Sequence, residues 1–226
     1  AGWQTTKDPA FAYILKHFVG RNTETDAEWA AIEAAAARQT RAPWLAQRSR
    51  MLPNWFGLLE TGIEHDDHRF RRNVMLRVGQ GVGHSHEDAL DLQVHAHGYP
   101  MTIDGGQRPG YSKPEDYARL VHNVATADGL GGTHAWIATL SDAPAARAMT
   151  GRIETGNPDK LYSRQVMLVD VDEGQGSRPL TPAEVLPDAK LDTKVVTPNS
   201  YVVDVMRLSG GRNATYQFHA MLNDDL

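Results

Sequence analysis

Apolar side chains recur at close to a helical period near the start of the chain. Asp8 followed by Pro9 places a capping side chain and a proline at the first turn of a helix. The apolar stripe that follows has a period near 3.6 and consists of Phe11, Ile14, Leu15 and Phe18. The pattern predicts a short helix that ends at Gly20.

A second helix is predicted just downstream. Thr25 and Glu28 have the spacing of a capping box, and the alanine-rich run over 29–37 has strong helix propensity. This helix should stop before Pro43, and the stretch 42–54 is predicted to be a linker or an irregular arm. Two helices are too few for a self-sufficient helical domain, so we expect them to pack on something within this chain or outside it.

From about Leu58 the pattern changes to short runs of β-branched and aromatic residues bounded by Gly, Pro, Asn and Asp. Over 90–97 apolar and polar residues alternate strictly, which predicts a half-buried strand with Asp91, Gln93, His95 and His97 on its polar face. Further strands are predicted at 74–78, 101–103, 121–125, 135–140, 164–171, 201–208 and 215–221. Many short strands separated by turns predict a mainly β fold, an antiparallel sheet or sandwich preceded by a short helical segment.

Composition and charge exclude several classes of protein. The 226 residues are 41% hydrophobic and 23% charged, which is typical of a globular protein, and 23 Lys and Arg against 28 Asp and Glu give a formal charge of −5. No apolar run approaches the roughly 20 residues that span a bilayer, so no membrane span is predicted. Nucleic-acid binding is excluded because there is no basic stripe. The dense basic cluster of Arg69, Arg71 and Arg72 is expected on a solvated strand face.

The chain has no cysteine, so no thiolate can bind a metal. Any nitrogen ligand would have to be a histidine. His84 and His86 lie two residues apart, a spacing that projects both rings to one side of a strand. Asp104 follows a short predicted strand, and His122 lies within another. Together His86, Asp104 and His122 would form a two-nitrogen, one-oxygen set suited to zinc. The alternative from the same residues is a pair of solvated rings with no metal.

Two other functions remain open from these residues. His84, His86, Asp91 and Gly98 nearly reproduce the first motif of a cupin. The chain would then be a small β-barrel metalloenzyme that uses His84, His86, Asp91 and a later histidine. In that interpretation His84 and Asp91 bind the metal and Asp104 does not. The other function is that of a non-catalytic carbohydrate-binding β-domain with a structural metal.

The order and spacing of several motifs resemble the β-sheet domain of heparinase II/III-like polysaccharide lyases. These motifs are Gly-His84-Ser-His86-Glu-Asp over 83–88, the alternating strand closed by His-Gly-Tyr-Pro at 97–100, Ile-Asp104-Gly-Gly, Val-His122-Asn123 and Ala-Asp128-Gly129. The resemblance covers roughly 52–226 and extends more weakly into 201–211 and 216–219. Residues 11–18 look like the last helices of the helical toroid that precedes the sheet in that family.

The resemblance implies an antiparallel β-sandwich over 51–226, which could be truncated at its C-terminus, after a helical segment over 1–50 that ends a toroid. It implies zinc at the positions matching His86, Asp104 and His122, and a catalytic histidine at His84. The implied reaction is β-elimination in a uronate-containing acidic polysaccharide such as a glycosaminoglycan or alginate, in the periplasm or outside the cell. Arg108 and Tyr111 follow Asp104 closely enough to be candidate substrate-binding residues. A helical domain or a second chain would complete the groove.

Overall fold

The computed structural model describes residues 2–43, 48–62, 71–79, 86–96, 99–103, 119–128, 130, 134–171 and 199–220. The chain divides into two compact units. The first comprises Ala1–Gln47 with Ile63–Asp66, and the second comprises Arg48–Gly62 with Asp67–Leu226.

The first unit is helical. It contains α1 (Gly2–Thr6), α2 (Pro9–Ile14), which continues as a π-helical turn over Leu15–Val19, and α3 (Asp26–Ala36). The Asp8 carboxylate accepts from the Ala10 amide at 2.8 Å, and both halves of the Thr25–Glu28 capping box are present. Both predicted helix starts are therefore confirmed. A small core is formed by Trp3, Ala12, Ile32, Ala35 and Ala36.

The described part of the second unit is mainly β-strand. The strands are β1 (Arg50–Leu52), β2 (Phe56–Thr61), β3 (Arg72–Arg77), β4 (Leu92–Ala96), β5 (Tyr99–Pro100), β6 (Ala125–Asp128), β7 (His134–Asp142), β8 (Ala146–Glu154), β9 (Leu161–Val171), β10 (Asn199–Ser209) and β11 (Arg212–Tyr216). They form a five-stranded sheet β1-β2-β3-β4-β5, a four-stranded sheet β10-β9-β8-β7 and a two-stranded sheet β11-β6. All pairs are antiparallel.

The two larger sheets pack face to face around one apolar core. The core takes alternate side chains from both sheets: Leu59, Val74, Leu76, Leu92, Ile137, Met149, Ile153, Val166 and Leu168, among others. The protein is mainly β, and the predicted antiparallel sandwich is confirmed. In the described part of the chain, no helix is both long and apolar enough to cross a membrane.

Glycines allow the sheets to approach closely at two points. A Cβ on Gly151 of β8 would lie 2.5 Å from Leu90 Cδ2 and 2.8 Å from Leu76 Cδ2. A Cβ on Gly57 of β2 would lie 2.6 Å from Met149 Sδ. Real Cβ atoms do not come this close to other heavy atoms, so a side chain at either position would force its neighbours apart.

Several local predictions were wrong near the histidines. The strand predicted over 90–97 begins only at Leu92, because Leu90 occupies a turn with a φ of 67°. Asp91, expected on a polar face, is fully buried. The strand predicted over 121–125 is instead a 3₁₀ turn, Arg119–Val121, followed by bends, so His122 lies in a turn. Strands β1, β2, β5 and β8 were not predicted, and β1 lies in the stretch predicted to be a linker or irregular arm.

Candidate functional site

The structure brings together two histidines that lie far apart in the sequence. The ring centroids of His86 and His122 are 5.2 Å apart, and the ring planes are inclined at 45°. His122 is fully buried, whereas His86 is half-buried. These are two of the three predicted metal ligands.

His86 lies two residues before a tight turn over 88–91, which is fastened to the end of β3. We call the segment 86–91 the His86 turn. The Leu90 amide donates to the Arg77 carbonyl at 2.7 Å, and the Arg77 amide donates to the Asp91 carbonyl at 3.0 Å. The Asp88 carboxylate is buried and pairs with Arg77 Nε at 2.5 Å. A buried carboxylate needs such a partner, so the ion pair holds the turn that carries His86 against the sheet.

His122 sits on a turn that is held from two directions. Its amide donates to the Arg119 carbonyl at 3.1 Å. The Arg119 guanidinium donates to the Ala89 carbonyl at 3.2 Å, in the His86 turn, and to the Tyr162 hydroxyl on β9. The Tyr162 hydroxyl in turn donates to the Ala125 carbonyl. Burial raises the pKa of Tyr162, so the phenol stays protonated and its O–H can donate this hydrogen bond.

Asn123, next to His122, joins several segments through its amides. Its backbone amide donates to Asp91 Oδ1 at 2.7 Å, and its side-chain amide donates to the Ile103 carbonyl at 3.0 Å. Its side-chain oxygen accepts from the His219 amide at 2.5 Å. Asn123 therefore connects the His122 turn to the His86 turn and to the residue that precedes Asp104 in the sequence.

Asp91 has a supporting position in this arrangement. Besides the Asn123 amide on Oδ1, its Oδ2 accepts from Gln93 Nε2 at 3.1 Å. The cupin interpretation needs this carboxylate as a metal ligand. In the described structure both of its carboxylate oxygens instead accept hydrogen bonds from protein donors.

Sequence reasoning missed Arg164, a fully buried arginine on β9. It forms a two-pronged ion pair with Asp204 on β10, with nitrogen to oxygen distances of 2.8 and 2.7 Å, and also donates to the Tyr216 hydroxyl at 2.8 Å. Burial raises the pKa of Tyr216 to about 12, with Arg164 opposing and Asp204 adding to the shift. The available signal was an arginine at a core-facing position between Tyr162 and Val166.

Four of the predicted site residues, His84, Asp104, Arg108 and Tyr111, lie outside the described residues. Within the described ranges no group of three or more His, Asp or Glu side chains is placed to hold a metal ion. Catalysis by His84, coordination by Asp104 and substrate contact by Arg108 and Tyr111 stay predictions.

Comparison with protein-family models finds no match, and comparison with curated protein sequences finds none either. Among solved structures, the heparan sulfate lyase HepC from Pedobacter heparinus is similar to this chain, with a TM-score of 0.47 and 17% sequence identity. The similarity covers 71% of this chain and 26% of HepC, so the chain spans about a quarter of that protein.

Proposed function

We propose that this chain is the β-sandwich portion of a polysaccharide lyase that cleaves uronate-containing acidic polysaccharides by β-elimination. Two things support the proposal: the motif series around His84, Asp104 and His122, and the convergence of His86 with His122 in space. A periplasmic or extracellular location belongs to the same proposal, because that is where such polymers are met.

The spacing of the two rings carries the proposal of a zinc site. An imidazole nitrogen binds zinc at about 2.0–2.1 Å, so the ring centre lies about 3.2 Å from the ion, and two rings on a tetrahedral ion have centres about 5 Å apart. The observed distance between the His86 and His122 centroids is 5.2 Å. We assign Asp104 as the third ligand, which leaves a fourth position open.

The proposed chemistry follows from the weak acidity of the proton on C5 of a uronate. The uronate carboxylate must first be neutralised or hydrogen-bonded, after which a base removes the C5 proton, the C4–C5 double bond forms and the C4–O bond breaks. The leaving oxygen takes up a proton. His84 would donate to the substrate carboxylate or accept the C5 proton, depending on the substrate epimer, since its ordinary pKa is near neutrality.

Zinc, when bound by His86, Asp104 and His122, would supply positive charge and hold in place the segment that bears His84. His84 and His86 are separated by one residue, so the ligand fastens the catalytic side chain directly. Arg108 and Tyr111 would contact the substrate. A helical domain or second chain would supply the rest of the groove and a further acid or base.

The metal content of single variants tests the ligand set. We expect the purified protein to bind one zinc ion, and His86→Ala, Asp104→Ala and His122→Ala to lose it. His84→Ala should retain zinc, as should the control His95→Ala, which removes an exposed histidine on β4. Loss of zinc in His84→Ala with retention in Asp104→Ala would establish the cupin interpretation instead. No binding by the wild type would mean that the two rings merely pack.

Lyase activity is tested by the ultraviolet absorbance of the unsaturated product. Alginate, heparin, heparan sulfate, hyaluronan and chondroitin should be offered both to this chain and to the longest natural protein that contains it. We expect cleavage of at least one polymer by the longer protein and at least a 100-fold loss in its His84→Ala variant, since about 100-fold is the lower end of the usual contribution of a general acid or base. Zinc binding without cleavage of any polymer would favour the non-catalytic β-domain.

A further inference from the structure

The guanidinium of Arg164, on β9 of the four-stranded sheet, contacts the two turns that carry His86 and His122. Its Nη1 donates to the Leu90 carbonyl at 2.6 Å and also to the Asn123 carbonyl. Leu90 lies four residues after His86, in the His86 turn, and Asn123 directly follows His122. One nitrogen atom therefore joins a main-chain oxygen from each histidine turn.

The other two guanidinium nitrogens anchor Arg164 in the opposite direction. Nε and Nη2 bind the two carboxylate oxygens of Asp204, and Nη2 also donates to the Tyr216 hydroxyl. Across its three nitrogens, all five N–H donors have an acceptor within the protein. A lysine at this position could donate at most three hydrogen bonds and could not reproduce the planar fork.

Two features of the surrounding backbone allow Arg164 to contact the Leu90 carbonyl. Gly151 lies opposite Arg164 on the neighbouring strand β8, and its missing side chain leaves room for Leu90 against the second sheet. Leu90 itself adopts a φ of 67°, a conformation that residues with a Cβ rarely adopt. The turn is thus held in a costly conformation, in which its carbonyl meets Arg164.

We infer that Arg164 is a positioning residue that sets the distance between His86 and His122 by holding both of their turns to β9. The inference rests on the proposed function for its meaning, since it is the zinc site that needs this distance. The ion pair with Asp204 compensates the buried charge of Arg164 and holds the guanidinium in place. Its hydrogen bonds to the Leu90 and Asn123 carbonyls then fix the positions of the two turns.

The main test variant is Arg164→Lys, which keeps the charge but loses the fork. Two matched controls separate positioning from stability. Arg147→Lys changes another largely buried arginine of the same sheet, which pairs with Asp170 at 2.7 Å and contacts neither histidine turn in the described structure. Tyr216→Phe removes one acceptor of Arg164 that lies outside both turns.

We expect Arg164→Lys to weaken zinc binding by about 10- to 100-fold, the usual effect of removing a group that orients metal ligands. Both controls should remain within about twofold of the wild type, even where they lower the melting temperature. The inference is overturned if Arg164→Lys and Arg147→Lys lose stability alike and bind zinc as well as the wild type does.

A metal-free measurement keeps this inference separate from the proposed function. In the apo protein, we expect nuclear Overhauser contacts between the ring protons of His86 and His122, and slow hydrogen exchange at the Asn123 amide. Both should be lost in Arg164→Lys and kept in the controls. If the wild type binds no zinc, the proposed function loses its metal, and unchanged ring contacts in Arg164→Lys would still overturn the inference.

If Arg164→Lys does not fold, the double variant Arg164→Gln with Asp204→Asn replaces both charges together. This exchange is better tolerated than leaving one charge buried without its partner. The same zinc titration and ring contacts then decide, with the same expected 10- to 100-fold loss. Wild-type affinity and ring contacts in the double variant would overturn the inference.

Discussion

At the scale of single residues, the unusual feature of this protein is how many polar groups its interior contains. Asp91, His122, Asn123 and Arg164 are all fully buried. Each buried polar group is costly unless it is hydrogen-bonded, so the hydrogen bonds around Asn123 and Arg164 are a condition for folding. Tyr216 accepts a hydrogen bond from Arg164, and its pKa is raised by the same environment.

The raised pKa of Tyr216 predicts a loss of stability at alkaline pH. The phenol ionises near its ordinary value of 10 in the unfolded chain but at about 12 in the folded protein, so the unfolded state releases its proton first. The free energy of unfolding should therefore fall as the pH rises from about 10 to about 12. Urea denaturation across this range checks the prediction.

Two variants isolate the contribution of this phenol. Tyr216→Phe should have a shallower alkaline decline than the wild type, because no proton can be lost at that position. Tyr201→Phe on β10, whose side chain is half exposed, should decline as the wild type does. Parallel curves for the wild type and Tyr216→Phe would contradict the assignment.

At the scale of secondary structure elements, the sandwich depends on how closely its sheets approach. Gly57 on β2 and Gly151 on β8 each lie where the opposite sheet would otherwise meet a side chain. The neighbours differ in kind. Gly151 faces the fully buried Leu76 and Leu90, whereas the nearest atom to Gly57 is the flexible thioether of Met149.

Gly151→Ala should therefore destabilise the protein by about 1–3 kcal/mol, the usual cost of overpacking a core. Gly57→Ala should cost less, because a methionine side chain adjusts its shape more easily than packed leucines do. Urea denaturation of both variants measures the difference. An equal or larger loss for Gly57→Ala would show that the approach at Leu90 is not the tighter one.

At the scale of the whole β unit, ion pairs fasten the two sheets at one edge. Asp170 on β9 accepts from Thr61 on β2 at 2.8 Å, from Arg72 on β3 at 3.4 Å and from Arg147 on β8 at 2.7 Å. Arg72 is almost fully buried, and so is Arg71, which pairs with Glu60 at 3.3 Å. The expectation that these arginines lie on a solvated strand face was wrong.

Asp170→Ala should lower the free energy of unfolding by about 3 kcal/mol, because it removes the part-buried carboxylate that the largely buried Arg72 and Arg147 share. Asp159→Ala, at an exposed turn between β8 and β9, is the control and should stay within about 0.5 kcal/mol of the wild type. Chemical denaturation gives both values. A loss below about 1 kcal/mol for Asp170→Ala would place this network with weak surface pairs.

Elements that depend on residues close together in the sequence were predictable, and elements that depend on distant residues were not. The starts of α2 and α3 were predictable because a cap is a contact between residues two or three positions apart, as at Asp8 and Thr25. Strands such as β3, β7, β9 and β10 were predictable because alternation is written locally in the sequence. The wrong predictions at 90–91 and 121–125 lie where a turn is stabilised by distant partners.

The sequence by itself determined the fold class, the caps and the histidines worth considering, because these depend on residue type and spacing along the chain. Only the tertiary structure decided that His122 lies in a turn beside His86, that Asp91 is buried, and that Arg164 reaches both histidine turns. The physical reason is that a buried polar group is stable only with its partners in place. For Arg164 those partners, Leu90, Asn123, Asp204 and Tyr216, come from four separate stretches of the chain.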